Sequence, residues 1–180
     1  MRAACLLLIA SLACIERPYQ GSQPQQRTQV DRNTLRDVLV APPADLTPVG
    51  AVFGNAAELI GYKLEPPQLI PGQRSRLTFY WRCRAELEPW HVFVHLDDAN
   101  GTGQRIHADH DPANGRFPTD AWRPGDVIAD SILFVPGPDA LALYLGFYSQ
   151  GEARLPVTNA GRGRDDGQSR LLAGILPIAR

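Results

Sequence analysis

Apolar and polar positions alternate in short runs from Val49 to the C-terminus. In Leu77-Thr78-Phe79-Tyr80-Trp81 the odd positions are apolar and the even ones are not, the pattern of a strand with one buried face. In His91-Val92-Phe93-Val94-His95-Leu96-Asp97 the even positions, Val92, Val94 and Leu96, point inward. His91, Phe93, His95 and Asp97 then point outward. Gly, Pro, Asn and Asp clusters punctuate these runs, Pro66-Pro67 and Pro71-Gly72 among them. The pattern predicts strands near 50–54, 57–65, 75–83, 90–97, 104–110, 126–135, 140–149, 152–157 and 170–178. Eight or nine short strands with no convincing helix predict an all-β fold. The expected architecture is a single antiparallel β-sandwich, Ig-like or jelly-roll-like.

Residues 15–30 have no such alternation. They hold Pro18, Gly21 and Pro24 among Gln, Ser and Arg, which reads as a flexible tether. Residues 33–39 predict at most a short helical turn, stopped by Pro42-Pro43. The expected division is a signal over 1–13, a lipidated tether over 14–48 and the sandwich over 49–180.

The signal rests on Arg2, an uncharged run from Ala3 to Ala13, and Cys14. That run is too short to span a bilayer, which takes about 20 apolar residues. Ser11-Leu12-Ala13-Cys14 resembles a bacterial lipobox, although Ser11 stands where a leucine is usual. The resemblance implies acylation of Cys14 and a mature protein held to a membrane by lipid. Ile15 after the cysteine implies the outer membrane if the host is Gram-negative.

Composition narrows the rest. The chain has 180 residues, 18 basic and 19 acidic side chains, and a formal net charge of −1. It has no basic stripe, which argues against a nucleic-acid partner. Hydrophobic residues make up 44%, enough for one core without cross-links. Of three cysteines, Cys5 leaves with the signal and Cys14 carries lipid. Cys83 is then alone, at a strand end, and reads as a packed thiol.

Two places carry candidate chemistry. The first is the histidine group. Asn100-Gly101 marks a hairpin turn. For Ile106 and Ala108 to share the inner face with Leu96 and Val94, His95 must stand opposite His107. Asp109 follows on the same outer face, so His95, His107 and Asp109 have the chemistry of a zinc-type site. The alternative is a solvated polar face with stacked imidazoles. Asp97, Asp98, Asn100, Asp109 and Asp111 offer oxygens suited to calcium, but in no EF-hand order. The fold itself requires no cofactor.

The second place is the connection from Arg116 to Asp130, stiffened by Pro118 and Pro124. If Trp122 is exposed, its ring can stack on the apolar C–H face of a sugar, with Trp90 nearby and Arg116, Asp120 and Arg123 as hydrogen-bonding partners. The alternative places Trp122 as a plug in one end of the sandwich. No nucleophile elbow, P-loop, dinucleotide fingerprint or zincin helix is present.

Several segments carry a resemblance: Glu58 to Tyr62, Leu77 to Trp81, Val92 to Leu96, His110-Asp111-Pro112, Phe117-Pro118-Thr119, Trp122 to Ile128, Leu145 to Tyr148 and Arg154 to Val157. Their order resembles a β-sandwich module found as the soluble tail of membrane glycosyltransferases in bacterial surface-polysaccharide systems. That resemblance implies a sandwich over 57–178 and a setting of envelope glycans. It does not imply transferase activity, because no membrane-embedded enzyme is attached. The expectation is a non-enzymatic envelope lipoprotein that binds glycan or assists polysaccharide handling. A protein-interaction or scaffold subunit of an envelope complex is the alternative, and a small metal-dependent enzyme at the histidine face is a third.

Overall fold

Two antiparallel five-stranded sheets face one another in the computed structural model, which describes residues 26–179 apart from 102 and 104. The expected signal and Cys14 lie outside the described residues. The strands are β1 (Thr47–Phe53), β2 (Ala57–Glu65), β3 (Ser75–Cys83), β4 (His91–Asp98), β5 (Ile106–His107), β6 (Val127–Phe134), β7 (Leu141–Tyr148), β8 (Val157–Asn159), β9 (Arg164–Asp165) and β10 (Leu171–Leu176). The first sheet runs β6-β3-β2-β1-β8 and the second β5-β4-β7-β10-β9. The fold is an all-β sandwich, as the alternation predicts.

The core lies between the sheets and follows the period of two. On β3, Leu77, Phe79, Trp81 and Cys83 are buried. Thr78, on the outer face, bonds Ser131 across the β3–β6 pair at 2.9 Å. Val92, Val94 and Leu96 supply the inner face of β4. Phe53, Trp81 and Phe147 pack edge-on or tilted, with centroids 4.8 to 5.9 Å apart. Each such fully buried aromatic contributes roughly 1.5–3 kcal/mol through burial.

Several segments differ from expectation, among them the strand expected over 152–157, which falls at Val157–Asn159. Residues 26–40 pack on the sandwich and are not a free tether. Leu35 and Val38 are buried in the core. Ala129 N–H donates to the Val38 carbonyl at 2.8 Å and Val40 N–H to the Val127 carbonyl at 3.1 Å, so this strap pairs with the edge of β6. Such cover blunts an open sheet edge. Arg32 holds Asp126, and Arg116 forks onto Asp37.

The strand expected over 104–110 shrinks to Ile106–His107 because the ladder is interrupted. The Val94 N–H donates to Asp109 Oδ1 at 2.9 Å, and the Ala108 carbonyl accepts from His110 Nδ1 at 2.8 Å. Pairing resumes where Val92 and His110 exchange backbone bonds. The charged stretch 162–167, outside every strand that the alternation predicts, includes the short edge strand β9 against Leu171 and Leu172.

Candidate functional site

The outer face of the second sheet gathers most of the polar and aromatic side chains of interest. The β4–β7 register places His91 beside Tyr148, Phe93 beside Gly146, His95 beside Tyr144 and Asp97 beside Ala142. Gly146 is required here. A Cβ at that position would lie 2.6 Å from the Phe93 ring, so only glycine lets the ring lie across the neighbouring strand. Arg154 covers the other side of Phe93, with its guanidinium carbon 4.8 Å from the ring centroid.

Phe93, His95, Asp109, Tyr148, Glu152 and Arg154 line a depression of about 280 Å³. Its floor is aromatic and its rim carries both signs of charge. Tyr148 is half-buried and stacks against His91, with centroids 5.1 Å apart. His91 in turn contacts Asp111. Beyond His95, Arg105 forks onto Asp97 at 2.6 and 3.0 Å. Arg170 lies 3.8 Å over the Tyr144 ring and also contacts Asp97 and Asp166. Asp97 is desolvated, which raises its pKa, but Arg105 and Arg170 outweigh this and hold it below its ordinary value.

His95 pairs directly with His107 across β4 and β5, the register read from the sequence. Their rings meet edge-on at 4.9 Å. Asp109 Oδ1 lies 3.6 Å from His95 Nε2. One donor atom from each of the three residues falls within 4.8 Å of the others. Burial pushes the pKa of His95 down, and Asp109 opposes this only in part. The calcium-type oxygens do not converge. Asp97 is engaged by arginines, Asp98 accepts from Asn100 N–H, and Asp111 contacts His91.

The expected sugar platform at Trp122 is not available. Trp122 is fully buried, its Nε1 donates to the Phe117 carbonyl at 2.9 Å, and its ring meets Phe147 edge-on. Burial of the ring outweighs any exposure that the loop could offer, so Trp122 plugs the sandwich. Its expected partners are engaged elsewhere. Arg116 binds Asp37 and the Thr34 carbonyl. Asp120 is buried and accepts from Thr28 N–H at 2.9 Å. Trp90 packs against the core and donates its backbone N–H to Thr119 Oγ1. Arg123 is exposed, with its backbone N–H on Asp126. Cys83 is buried, bonds the Ala85 carbonyl, and has a pKa raised to about 11 by burial and by Asp126.

Sequence reasoning missed Tyr148, Glu152 and Arg154 as site residues. An outward Phe93 between two outward histidines was the available signal, because a lone phenylalanine on a polar face needs a cover.

No family model matches this chain, and no curated protein matches it. Among solved structures it is similar to the crystal structure of the C-terminal domain of wzt, at 13% identity and a TM-score of 0.47. The alignment covers 75% of this chain and 81% of that one.

Proposed function

We propose that the sandwich is a non-enzymatic glycan-binding module, held at the cell envelope by a lipid on Cys14. The observation that carries this reading is the depression on the second sheet. Sugars present apolar C–H faces and a rim of hydroxyls. Tyr148 offers a ring to the first, while Arg154, Glu152 and Asp109 offer donors and acceptors to the second. Phe93, His95 and Tyr148 stand on the paired strands β4 and β7, which hold such groups with little conformational cost. Arg2, the apolar run over 3–13 and Ser11-Leu12-Ala13-Cys14 support the envelope location. The resemblance of residues 57–178 to modules of surface-polysaccharide systems supports the ligand class.

The test is calorimetric titration of the purified protein with polysaccharide from its own envelope, followed by a broader glycan panel. Tyr148→Ala and Arg154→Ala should each weaken saturable binding about tenfold or more without changing the fold. No saturable binding to any glycan on the panel would sink the reading.

A second reading, an interaction subunit of an envelope complex, has one observation in its favour. Leu133 and Val135, at the edge of β6 beyond the strap, are 55% and 53% exposed. Leu133→Glu should abolish co-purification of a stable partner if that reading holds, and should leave glycan binding intact.

A further inference from the structure

We propose that His95, His107 and Asp109 form a binding site for a zinc-type divalent ion beside the same depression, which His95 and Asp109 line. The site needs no glycan to form, so it stands apart from the reading above. Its basis is the cross-strand histidine pair. Directly opposed residues on antiparallel strands have Cβ atoms about 5 Å apart, so two imidazoles can converge on one point. Here one donor atom from each imidazole and from the Asp109 carboxylate lies within 4.8 Å of the other two.

The imidazoles are otherwise idle. His95 is 9% exposed, and its Nδ1 is buried without any hydrogen-bond partner. Its Nε2 lies 3.6 Å from Asp109 Oδ1, too far for a hydrogen bond. A buried imidazole with neither nitrogen bonded is costly to keep. A bound cation would satisfy one of the two nitrogens.

The carboxylate is held for the task. Val94 N–H donates to Asp109 Oδ1 at 2.9 Å, because the side chain takes the place that the Ala108 carbonyl would fill in a regular ladder. Such an outer bond orients a ligand before the ion arrives. Zinc holds nitrogen and oxygen donors at about 2.0–2.2 Å, so tetrahedral donors stand roughly 3.4 Å apart. The three donors must therefore draw in slightly. His107 and Asp109 are both exposed, and β5 is a two-residue edge strand, so only side-chain rotation is needed. Water can supply the fourth ligand of a four-coordinate ion.

Two imidazoles and one carboxylate suit zinc and its transition-metal neighbours. Calcium and magnesium prefer shells of oxygen alone. Arg105 and Arg170 act against a cation here, since both bear on His95. Each is already paired with Asp97, and Arg170 also with Asp166, which mutes that effect.

The test uses the full chain, dialysed against a chelator and then titrated with zinc alone. Saturable uptake of one ion per chain is expected. His107→Ala should weaken it about tenfold or more, while the unfolding midpoint measured without zinc stays put. His91→Ala, outside the cluster, should bind as the parent does. Cobalt in place of zinc should give the strong visible bands of a four-coordinate ion, lost in His107→Ala. Absence of saturable zinc uptake, or uptake unchanged by His107→Ala, would overturn the proposal.

Discussion

His110 and Asp130 join the two sheets, with His110 Nε2 lying 2.9 Å from Asp130 Oδ2. Asp130 is fully buried on β6 of the first sheet, and His110 is bridged to Val92 of the second. The hydrogen bonds fix how many protons the pair holds. Nδ1 of His110 faces the Ala108 carbonyl, which can only accept, so that nitrogen carries a proton. Asp130 Oδ1 accepts from Ala113 N–H, and Oδ2 faces Nε2. A proton is needed between Nε2 and Oδ2 as well, so the bonded pair holds one proton more than a neutral imidazole facing a carboxylate.

The sign of the pH dependence follows from that pair. Burial pulls the pKa of His110 down, but the bond and charge of Asp130, the Ala108 carbonyl and nearby Asp109 outweigh it and hold it above its ordinary value. Because the folded value is raised, the stabilisation is full below the unfolded pKa, about 6.5. It is lost as pH rises through the folded value. In chelator-containing buffer the unfolding free energy should fall on going from mildly acidic to alkaline pH. In Asp130→Asn the part of that fall that His110 contributes should vanish. His110→Ala strands a buried carboxylate and should cost about 3–5 kcal/mol in denaturant unfolding.

Trp122 gives a second expectation. As a buried plug it should act on folding first. Trp122→Ala should destabilise the sandwich by about 3–5 kcal/mol, seen as a lower denaturant midpoint. Trp122→Phe should cost less. If Trp122→Ala left the midpoint unchanged, the plug would be wrong.

The strap supplies a third. Leu35→Ala should lower stability by about 2–5 kcal/mol, because Leu35 is 1% exposed in the core. A free tether would tolerate that change without effect. Hydrogen exchange should likewise protect the amides of Val40 and Ala129, which bond across the strap and β6.

Cys83 should be nearly inert in the folded protein. With a pKa of about 11, about one thiol in a thousand is ionised at pH 8. Labelling with a thiol reagent should be slow, and fast once denaturant is added.

The anchor is tested separately. Cys14→Ser should move the protein from the membrane fraction to the soluble one and leave the unfolding midpoint of the sandwich unaltered.

The strands were legible where the period of two is unbroken. β2 and β3 fall on the residues that alternation marks. The His95–His107 register was legible for the same reason, since a slip of one residue would have turned Ile106 outward. The strap was not, because its polar residues mask three useful apolar ones. Leu35, Val38 and Leu39 are too few to show a period, and their partners lie about 90 residues away. The exposure of Trp122 was a tertiary matter that no local pattern decides. The depression was hidden similarly: Arg154 reaches Phe93 across 61 positions of chain.

Arg27 has a mechanical consequence. Its guanidinium grips the carbonyls of Asp120 and Trp122 and contacts Glu86, next to the buried plug. A pull arriving through the residues before 26 meets this clamp first. It must then peel the strap from β6, pair by pair, before any tension reaches β1. Since β1 is an interior strand flanked by β2 and β8, it is loaded last. The strap thus behaves as a strain relief, which spares β1 while the chain end is tugged.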